Sequence, residues 1–296
     1  MVATDDTFQL SRNTVWKRFR KHRVAVFGAI VLAIIGAFAA FGHFVYPVDP
    51  NAIDQVNWTG YPLAPGVAGH VLGTDENGRD LLARLIAGAQ ISLTVAIATV
   101  VMQVVIGSVL GAIAGYYGGW VDMIVQRLTE IIKSFPHLPL WLALSAALPV
   151  TWSPLVIYFG ITLILALLDW PGLGRAVRSK LLSLREEDYA SAAQMMGAKP
   201  GRIIGRHLLP GFMSHLIASA TLSIPSMILA ETALSFLGLG LRPPITSWGV
   251  LLNEATDINV VAVNWWLMLP VVPVILVILA YQFMGDGMRD AADPYA

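Results

Sequence analysis

The sequence contains no cysteine, and only 13% of its 296 residues are charged. The lack of cysteine excludes disulfides, thiolate metal sites and a cysteine nucleophile. Soluble domains carry roughly a quarter charged residues, whereas here 56% of the residues are hydrophobic and the mean hydropathy is +0.67. These values predict a membrane protein. A net charge of zero argues against nucleic acid as a partner.

The sequence also lacks the short motifs of catalysis and nucleotide binding. It has no Gly-x-x-x-x-Gly-Lys-Ser/Thr phosphate loop, no His-Glu-x-x-His and no Gly-x-Ser-x-Gly. The six histidines do not recur at ligand spacing, and Arg79 stands where a calcium loop beginning at Asp75 would need an oxygen ligand. We therefore predict no catalytic residue, no metal site and no cofactor in this chain. A solute carrier without a phosphate loop must draw energy from a partner or from an ion gradient.

Six apolar segments predict helices that cross a bilayer core of about 30 Å. The expected spans of this all-α membrane protein are 24–46, 91–116, 123–150, 155–168, 212–238 and 265–284. Pro136 and Pro139 predict a kink in the third span, and the fourth is short, so a re-entrant hairpin stays open as an alternative. A secretory signal peptide is the rival interpretation of the first segment, although its apolar run exceeds the usual length of about 7–15 residues.

The distribution of basic residues predicts the orientation of the chain. Most of the 19 Lys and Arg residues fall in the N-terminal segment 1–23, the loop 175–206 and the tail. Loops rich in these residues stay in the cytoplasm, so we expect both termini there, and six spans satisfy that parity. The segment 47–87 is then an extracytoplasmic insert with an amphipathic helix starting near Asp80. The rest is a membrane core, 88–290, and a short cytoplasmic tail, 291–296.

Few ionisable residues lie deep within the predicted spans. They are Glu130, Lys133 and Glu231, and charges at such depth face protein or water rather than lipid. We expect them to mark a translocation path or a gate. For Glu231 the alternative of a buried, hydrogen-bonded packing residue carries more weight.

A stripe of small residues runs along the second predicted span. Gly107, Gly111 and Gly115 recur every four residues and therefore share one helix face. Such a face allows two helix backbones to approach closely, so we predict a packing contact there.

The segment 183–210 is a polar, basic and helix-forming stretch in an otherwise apolar chain. Ser183 and Glu186 have the spacing of a capping box, which predicts the start of a helix. Gly197 stands where a left-handed C-terminal cap is expected, and Pro200 cannot continue the helix. The expected helix is about a dozen residues and roughly 18–20 Å long.

Helical spacing places four residues of this segment on one face. They are Tyr189, Ala192, Ala193 and Met196. The side chains on this face are mostly small and weakly apolar, so the face is suited to lie in a groove of another protein. An ordinary loop helix without a partner is the alternative.

Several motifs in this chain resemble those of one transporter family. The segment DYASAAQMMG at 188–197, followed by HLLP at 207–210, resembles the cytoplasmic "EAA" loop of ABC importer permeases. Further segments resemble the dipeptide/oligopeptide branch: LGTDENGRD at 72–80, GYYGGWVD at 115–122, AETALSFLGLG at 230–240, SWG at 247–249 and GDGMRD at 285–290. Together they cover the chain from about residue 15 to its end.

The resemblance implies a six-span subunit with the type I ABC transporter permease fold in the cell inner membrane. It implies four partners: a homologous permease, two ATPase subunits that carry ATP and Mg²⁺, and an extracytoplasmic binding protein. Import of peptides is the implied function, and this chain itself is not an enzyme. Oligosaccharides, opines or nickel remain alternative substrates of the same machinery. An ion-coupled carrier or channel is the alternative from another class.

The resemblance also implies that a coupling loop, 175–210, connects this chain to the ATPase subunits through its segment 184–210. By the same resemblance, the helix of that segment sits in a groove of the ATPase and transmits the closure of the ATPase to the membrane spans. Two positions depart from the family pattern: Ser191 replaces a usual glutamate, and His207 replaces a usual apolar residue. The serine puts the family's salt bridge at this position in doubt, but not the helix. The expected coupling residues are Asp188, Tyr189, Ser191, Ala192, Ala193, Met196, Gly197, His207, Leu209 and Pro210.

Overall fold

The computed structural model describes residues 18–256 and 262–292, and helices dominate both ranges. The longer α-helices are α1 (Arg23–Val45), α2 (Leu81–Tyr117), α3 (Gly119–Ser134), α4 (His137–Ala146), α5 (Pro154–Leu184), α6 (Asp188–Met195), α7 (Met213–Phe236), α8 (Trp248–Glu254) and α9 (Val271–Ala292). The all-α fold class is thus confirmed. Most of the predicted N-terminal segment and residues 293–296 of the tail lie outside the described residues.

Five helical segments in the described part of the chain are long and apolar enough to cross a membrane. They are Arg23–Val45, Leu81–Tyr117, Pro154–Leu184, His215–Phe236 and Trp265–Met288. The expected span 123–150 is instead divided between α3 and the shorter apolar helix α4. Phe135 is extended (φ −93°, ψ 141°) because Pro136 disfavours a helical conformation at the residue before it. The expected span 265–284 lies within Trp265–Met288, whereas a membrane crossing by 123–150, which would be the sixth, stays a prediction.

Helix α5 is longer than its expected span, 155–168. It begins after Ser153, whose hydroxyl accepts the Val156 N–H (3.4 Å), and continues through Pro171 to Leu184. Membrane helices tolerate an internal proline when neighbouring groups satisfy the freed backbone. Asp169, expected at the end of a span, therefore lies in the middle of a helix.

The described residues fall into two compact units. One is drawn from Met1–Ala96 and Ile224–Ala296, and the other from Ile97–Ser223. In the first unit α1 and α9 run antiparallel and approach closely at small residues. A Cβ on Gly28 would lie 2.6 Å from the Ala280 carbonyl oxygen, and one on Gly287 would lie 2.2 Å from the Ala25 Cβ. Neither position has room for a side chain.

In the second unit the glycine stripe of α2 lies against α5. Cβ atoms on Gly107, Gly111 and Gly115 would lie 3.1, 2.3 and 2.8 Å from backbone oxygens of α5. Polar contacts hold the nearby helix ends. Arg178 of α5 forms a two-pronged ion pair with Asp122 of α3. Arg185 donates to the carbonyls of Gly115 and Tyr116 at 3.2 and 3.3 Å, which satisfies acceptors at the end of α2.

We predict that Gly111→Ala destabilises the protein, because the new methyl group would overlap the Gly174 carbonyl oxygen and force α2 and α5 apart. Overpacking of this kind costs about 1–3 kcal/mol. The melting midpoint of the detergent-purified protein should fall. Gly36→Ala in α1 is the matched control, since its Cβ meets nothing within 4 Å. Equal melting of the two variants would contradict the prediction.

Candidate functional site

Helix α6 lies in the polar segment that the sequence singled out, but it begins later than expected. Its N-cap is Glu187, whose side chain forms no cap, and it contains eight residues, or about 12 Å of helix. The predicted capping box is wrong, because Ser183 belongs to α5 and Glu186 to the turn after it. Asp188 in the first turn places a negative charge at the positive end of the helix dipole.

The C-terminus of α6 has the predicted left-handed cap. Gly197 has φ +78°, and its N–H donates to the Gln194 carbonyl at 2.9 Å. The Ala198 N–H donates to the Ala193 carbonyl at 3.1 Å, which completes a Schellman motif. Helix α6 is thus short but sharply terminated.

The two faces of α6 differ in exposure. Ala190 and Ala193 are buried, whereas Tyr189, Met195 and Met196 are 44%, 90% and 81% exposed. Ala192 is also exposed. The predicted face of four residues is therefore wrong in one member, since Ala193 turns inward. The outward surface, Tyr189, Ala192, Met195 and Met196, is called the α6 outer face below.

The buried alanines attach α6 to a hydrophobic cluster within the second unit. Its other members come from α2, α5, the irregular segment 203–212 and the start of α7: Ala112, Leu173, Val177, Leu181, Ile203, Leu208, Phe212 and Leu216. A methyl side chain lets the α6 backbone lie close to these residues. The helix is therefore held by packing on one side and left free on the other.

The chain after α6 is irregular but ordered. A single turn, Pro200–Arg202, leads into a π-helix, Ile203–Leu208, and a 3₁₀-helix, Leu209–Phe212. His207 lies in the π-helix and is half-buried, as are Ser191 and Leu209, while Pro210 is exposed. Only Ser191 of these four belongs to α6 itself.

Glu231, in the first unit, is fully buried and hydrogen-bonded. The hydroxyls of Ser92 and Ser235 donate to its two carboxylate oxygens at 2.9 and 2.8 Å. The same hydroxyls accept the backbone N–H groups of Trp248 (3.1 Å) and Leu241 (3.0 Å). Glu231 therefore anchors the loop after α7 and the start of α8. This geometry favours the packing interpretation over a gate.

A second buried network lies in the same unit and was not expected. Asp75 accepts the N–H and Nε–H of Arg79 at 2.9 and 2.7 Å and also pairs with Arg84. Both arginines pair with Glu254 at the end of α8. Arg84 is 1% exposed, so its charge is compensated entirely by protein groups. The carboxylate of Asp75, considered above as a possible calcium ligand, instead forms ion pairs with Arg79 and Arg84.

His70 lies between two carboxylates in the loop that joins α1 and α2. Its Nδ1 is 2.7 Å from Asp80 Oδ2 and its Nε2 is 3.2 Å from Asp54 Oδ2. Asp80 also accepts the Ala83 N–H (2.8 Å), which caps α2, and the Tyr46 hydroxyl (2.8 Å). His70 therefore joins the loop to the first turn of α2.

The environment of this loop shifts three pKa values. Burial lowers the pKa of His70, but its hydrogen bonds to Asp80 and Asp54 outweigh burial, and the pKa is raised. Hydrogen bonds from Asn57 lower the pKa of Asp54 to about 2. Burial, followed by the bond to Asp80, raises the pKa of Tyr46 to about 12. Around neutral pH the histidine is thus favoured as a cation between two anions.

The remaining deep ionisable residues lie in the second unit. Glu130 is exposed and paired with Arg127 at 3.0 Å, and Lys133 is exposed near the end of α3. Asp169, which the sequence reasoning missed, lies 3.3 Å from His137 Nδ1. Among the described residues, no group of three or more His, Asp or Glu side chains is placed to hold a metal ion.

Long apolar helices and buried ion pairs define a multi-pass membrane protein, and comparison with known proteins identifies its class. Residues 107–295 match the family model described as "Binding-protein-dependent transport system inner membrane component". Residues 12–65 match "N-terminal TM domain of oligopeptide transport permease C". The family match covers more than half of the chain. The chain therefore belongs to the binding-protein-dependent inner membrane transport components.

Individual relatives agree with this assignment. The chain is 39% identical over 284 residues to the oligopeptide transport system permease protein OppC of Escherichia coli (strain K12), covering 94% of this chain and 89% of that protein. It is 36% identical over 279 residues to the dipeptide transport system permease protein DppC of Alkalihalophilus pseudofirmus, with 94% and 88% covered. For DppC of Bacillus subtilis (strain 168) the identity is 34% over 280 residues, with 94% and 84% covered. The resemblance to dipeptide and oligopeptide permeases is confirmed.

We predict that the His70 contact stabilises the protein at low and neutral pH and is lost as pH rises. A raised folded-state pKa means that the stabilisation is complete below the ordinary histidine value of about 6.5 and disappears as pH passes the folded value. The contribution of this contact to the melting midpoint should therefore fall between pH 6 and pH 9. His70→Gln should remove most of this dependence.

The control for that experiment is His43→Gln, which changes an exposed histidine at the end of α1. It should keep the pH dependence of the unaltered protein. A His70→Gln variant that melts with the unaltered pH profile would show that the contact contributes nothing.

Proposed function

We propose that this chain is a permease subunit of an ATP-driven importer that carries peptides across an inner membrane. The observation that carries the coupling role is the anchored helix α6 with its free outer face. The substrate class rests on the relatives, which are named as oligopeptide and dipeptide permeases over nearly their whole length. Oligosaccharides, opines and nickel have no such support among those relatives.

The α6 outer face is proposed to enter a groove of an ATPase subunit. Tyr189, Met195 and Met196 supply exposed apolar area, and Ala192 between them allows a close approach. Methionine is adaptable in packing, which suits a contact that must persist while the partner changes shape. Asp188 and Gly197 set the two ends of this surface.

The other expected coupling residues act by holding α6 rather than by touching the partner. Ala193 is buried in a hydrophobic cluster that includes residues of α5 and of the start of α7. Leu209 packs partly against the same cluster, and His207 lies in the π-helix beside it. Movement of the outer face would therefore shift α5 and the first turns of α7 as one body, since packed interfaces transmit rigid motion.

The proposed assembly contains a homologous permease, two ATPase subunits and an extracytoplasmic binding protein. ATP and Mg²⁺ bind to the ATPase subunits, and this chain hydrolyses nothing. The family description supports the binding protein, because it names transport as binding-protein-dependent. Basic residues at the start of α1 and around the end of α5 support a cytoplasmic location for both termini and for α6. The loop 47–80 would then lie outside the cytoplasm.

Part of the translocation path is proposed to run along the exposed side of α3. Glu130 and Lys133 are exposed on α3 and lie within the predicted span 123–150, where charges are not expected to face lipid. Glu231 is assigned to packing, in keeping with its two buried serine partners, Ser92 and Ser235.

The function itself can be tested in proteoliposomes. We expect uptake of tri-alanine to require this chain, its second permease, the ATPase subunits, the binding protein and ATP. Dissipating proton and sodium gradients should leave the uptake unchanged. Uptake that persists without ATPase subunits and collapses with a gradient would instead establish an ion-coupled carrier.

We predict that Gly197→Val uncouples the complex, because a β-branched residue at φ +78° is strongly disfavoured and would disturb the end of α6. A strain of about 1–3 kcal/mol corresponds to a factor of about 5 to 150 in the equilibrium between the intact and the disturbed helix end, and substrate-stimulated ATPase activity should fall as the intact form is lost. Gly197→Asn is the control, since asparagine tolerates the left-handed conformation.

Membrane insertion should be the same for both variants, as a Cβ at position 197 meets nothing within 4 Å. Co-purification of the subunits and the basal ATPase rate report on assembly separately. Full stimulation of ATPase activity by substrate in the Gly197→Val variant would show that α6 has no coupling role.

A further inference from the structure

A group of ionisable side chains lies where α3, α4 and α5 meet in the second unit. Lys133 stands near the end of α3, His137 begins α4, and Asp169 lies in the middle of α5. His137 Nδ1 is 3.3 Å from Asp169 Oδ1. The Lys133 ammonium lies 3.9 Å from where a Cβ on Gly172 would be, one turn along α5 from Asp169. The ammonium therefore lies close to the α5 backbone at Gly172.

These groups lie deep relative to the helix ends. Counted along the axes at 1.5 Å per residue, Lys133 is about 21 Å from the start of α3, and Asp169 is about 22 Å from the end of α5. Lys133 is nevertheless exposed on the chain surface. A cation that is exposed within the predicted span 123–150 is expected to face water or another protein group rather than lipid.

The local charge balance is positive. The carboxylate of Asp169 is paired with His137, and that of Glu130 with Arg127. Arg175, two turns along α5 from Asp169, adds a second positive charge within electrostatic reach of Lys133. The site therefore favours an anion, while the nearby Asp169 keeps the attraction moderate. Moderate attraction is what a transport path needs, because a ligand must leave as well as enter.

We propose that Lys133 contacts the terminal carboxylate of a peptide during its passage, with His137 and Asp169 positioning α4 against α5 beside it. This inference rests on the proposed function. A carboxylate is the anionic group that every unmodified linear peptide carries whatever its side chains, so one lysine serves peptides of many sequences.

The test compares tri-alanine with tri-alanine amide in proteoliposomes that contain the whole complex and its binding protein. Lys133→Gln should lower the uptake rate of tri-alanine about tenfold and leave that of the amide within about twofold. Lys133→Arg, which keeps the charge, should retain the preference for the free carboxylate. The affinity of the binding protein for each peptide is measured separately and used to normalise the rates.

An equal loss for both peptides would overturn the inference, since it would indicate a contact with the second permease or a folding defect. No loss for either peptide would overturn it as well. Failure of the unaltered complex to transport tri-alanine would instead contradict the proposed function.

A second measurement does not depend on transport of the amide. A tripeptide with a photoreactive benzoylphenylalanine as its last residue should label α3 near Lys133 in the unaltered complex and not in Lys133→Gln. The same residue at the first position should label α3 less. Equal labelling from both positions would show that Lys133 does not select the carboxyl end.

Discussion

A hydrocarbon environment offers no hydrogen bonds, so each polar group that enters it must find partners inside the protein. Glu231 meets this condition through hydroxyl groups, and the two Nη groups of Arg84 meet it through the carboxylates of Asp75 and Glu254. The partners are distant in sequence: 139 residues separate Ser92 from Glu231, and 170 separate Arg84 from Glu254. Satisfying one buried group therefore also fixes a loop against a helix, and the arrangement of the first unit follows from that requirement.

The same constraint explains which parts of the fold could be predicted. Hydropathy is a local property, so the long apolar helices and the break at Pro136 follow from short stretches of sequence. Pro171 shows the limit of local rules, because a proline and an aspartate together predict the end of a helix in water. Within α5 the surrounding helices make continuation more favourable, and Asp169 becomes a mid-helix residue. Its contact with His137 depends on tertiary packing, which local sequence patterns do not predict.

The candidate site also contains some features that local sequence predicts and others that depend on tertiary contacts. Gly197 was predictable, since a left-handed cap depends on one residue and its neighbours. The capping box at Ser183 failed because extending an existing helix is easier than nucleating a new one, so α5 absorbed the serine. Ala193 lies at the edge of the predicted apolar face, and periodicity does not tell which side of such a stripe is buried. Glu254 carries no sequence signal, because its partners are remote.

The motifs that link this chain to peptide permeases mainly fix the positions of loops in the structure. The segment 72–80 holds Asp75 and Asp80 in ion pairs and turns at Gly78, where a Cβ would lie 2.6 Å from the Trp58 ring. The segment 230–240 contains Glu231 and closes on Gly240 for the same steric reason. A transporter that accepts many peptides must use the same architecture for each of them. Residues that distinguish one peptide group from another within the membrane are then expected outside the motifs. Lys133 of α3 lies outside every one of them.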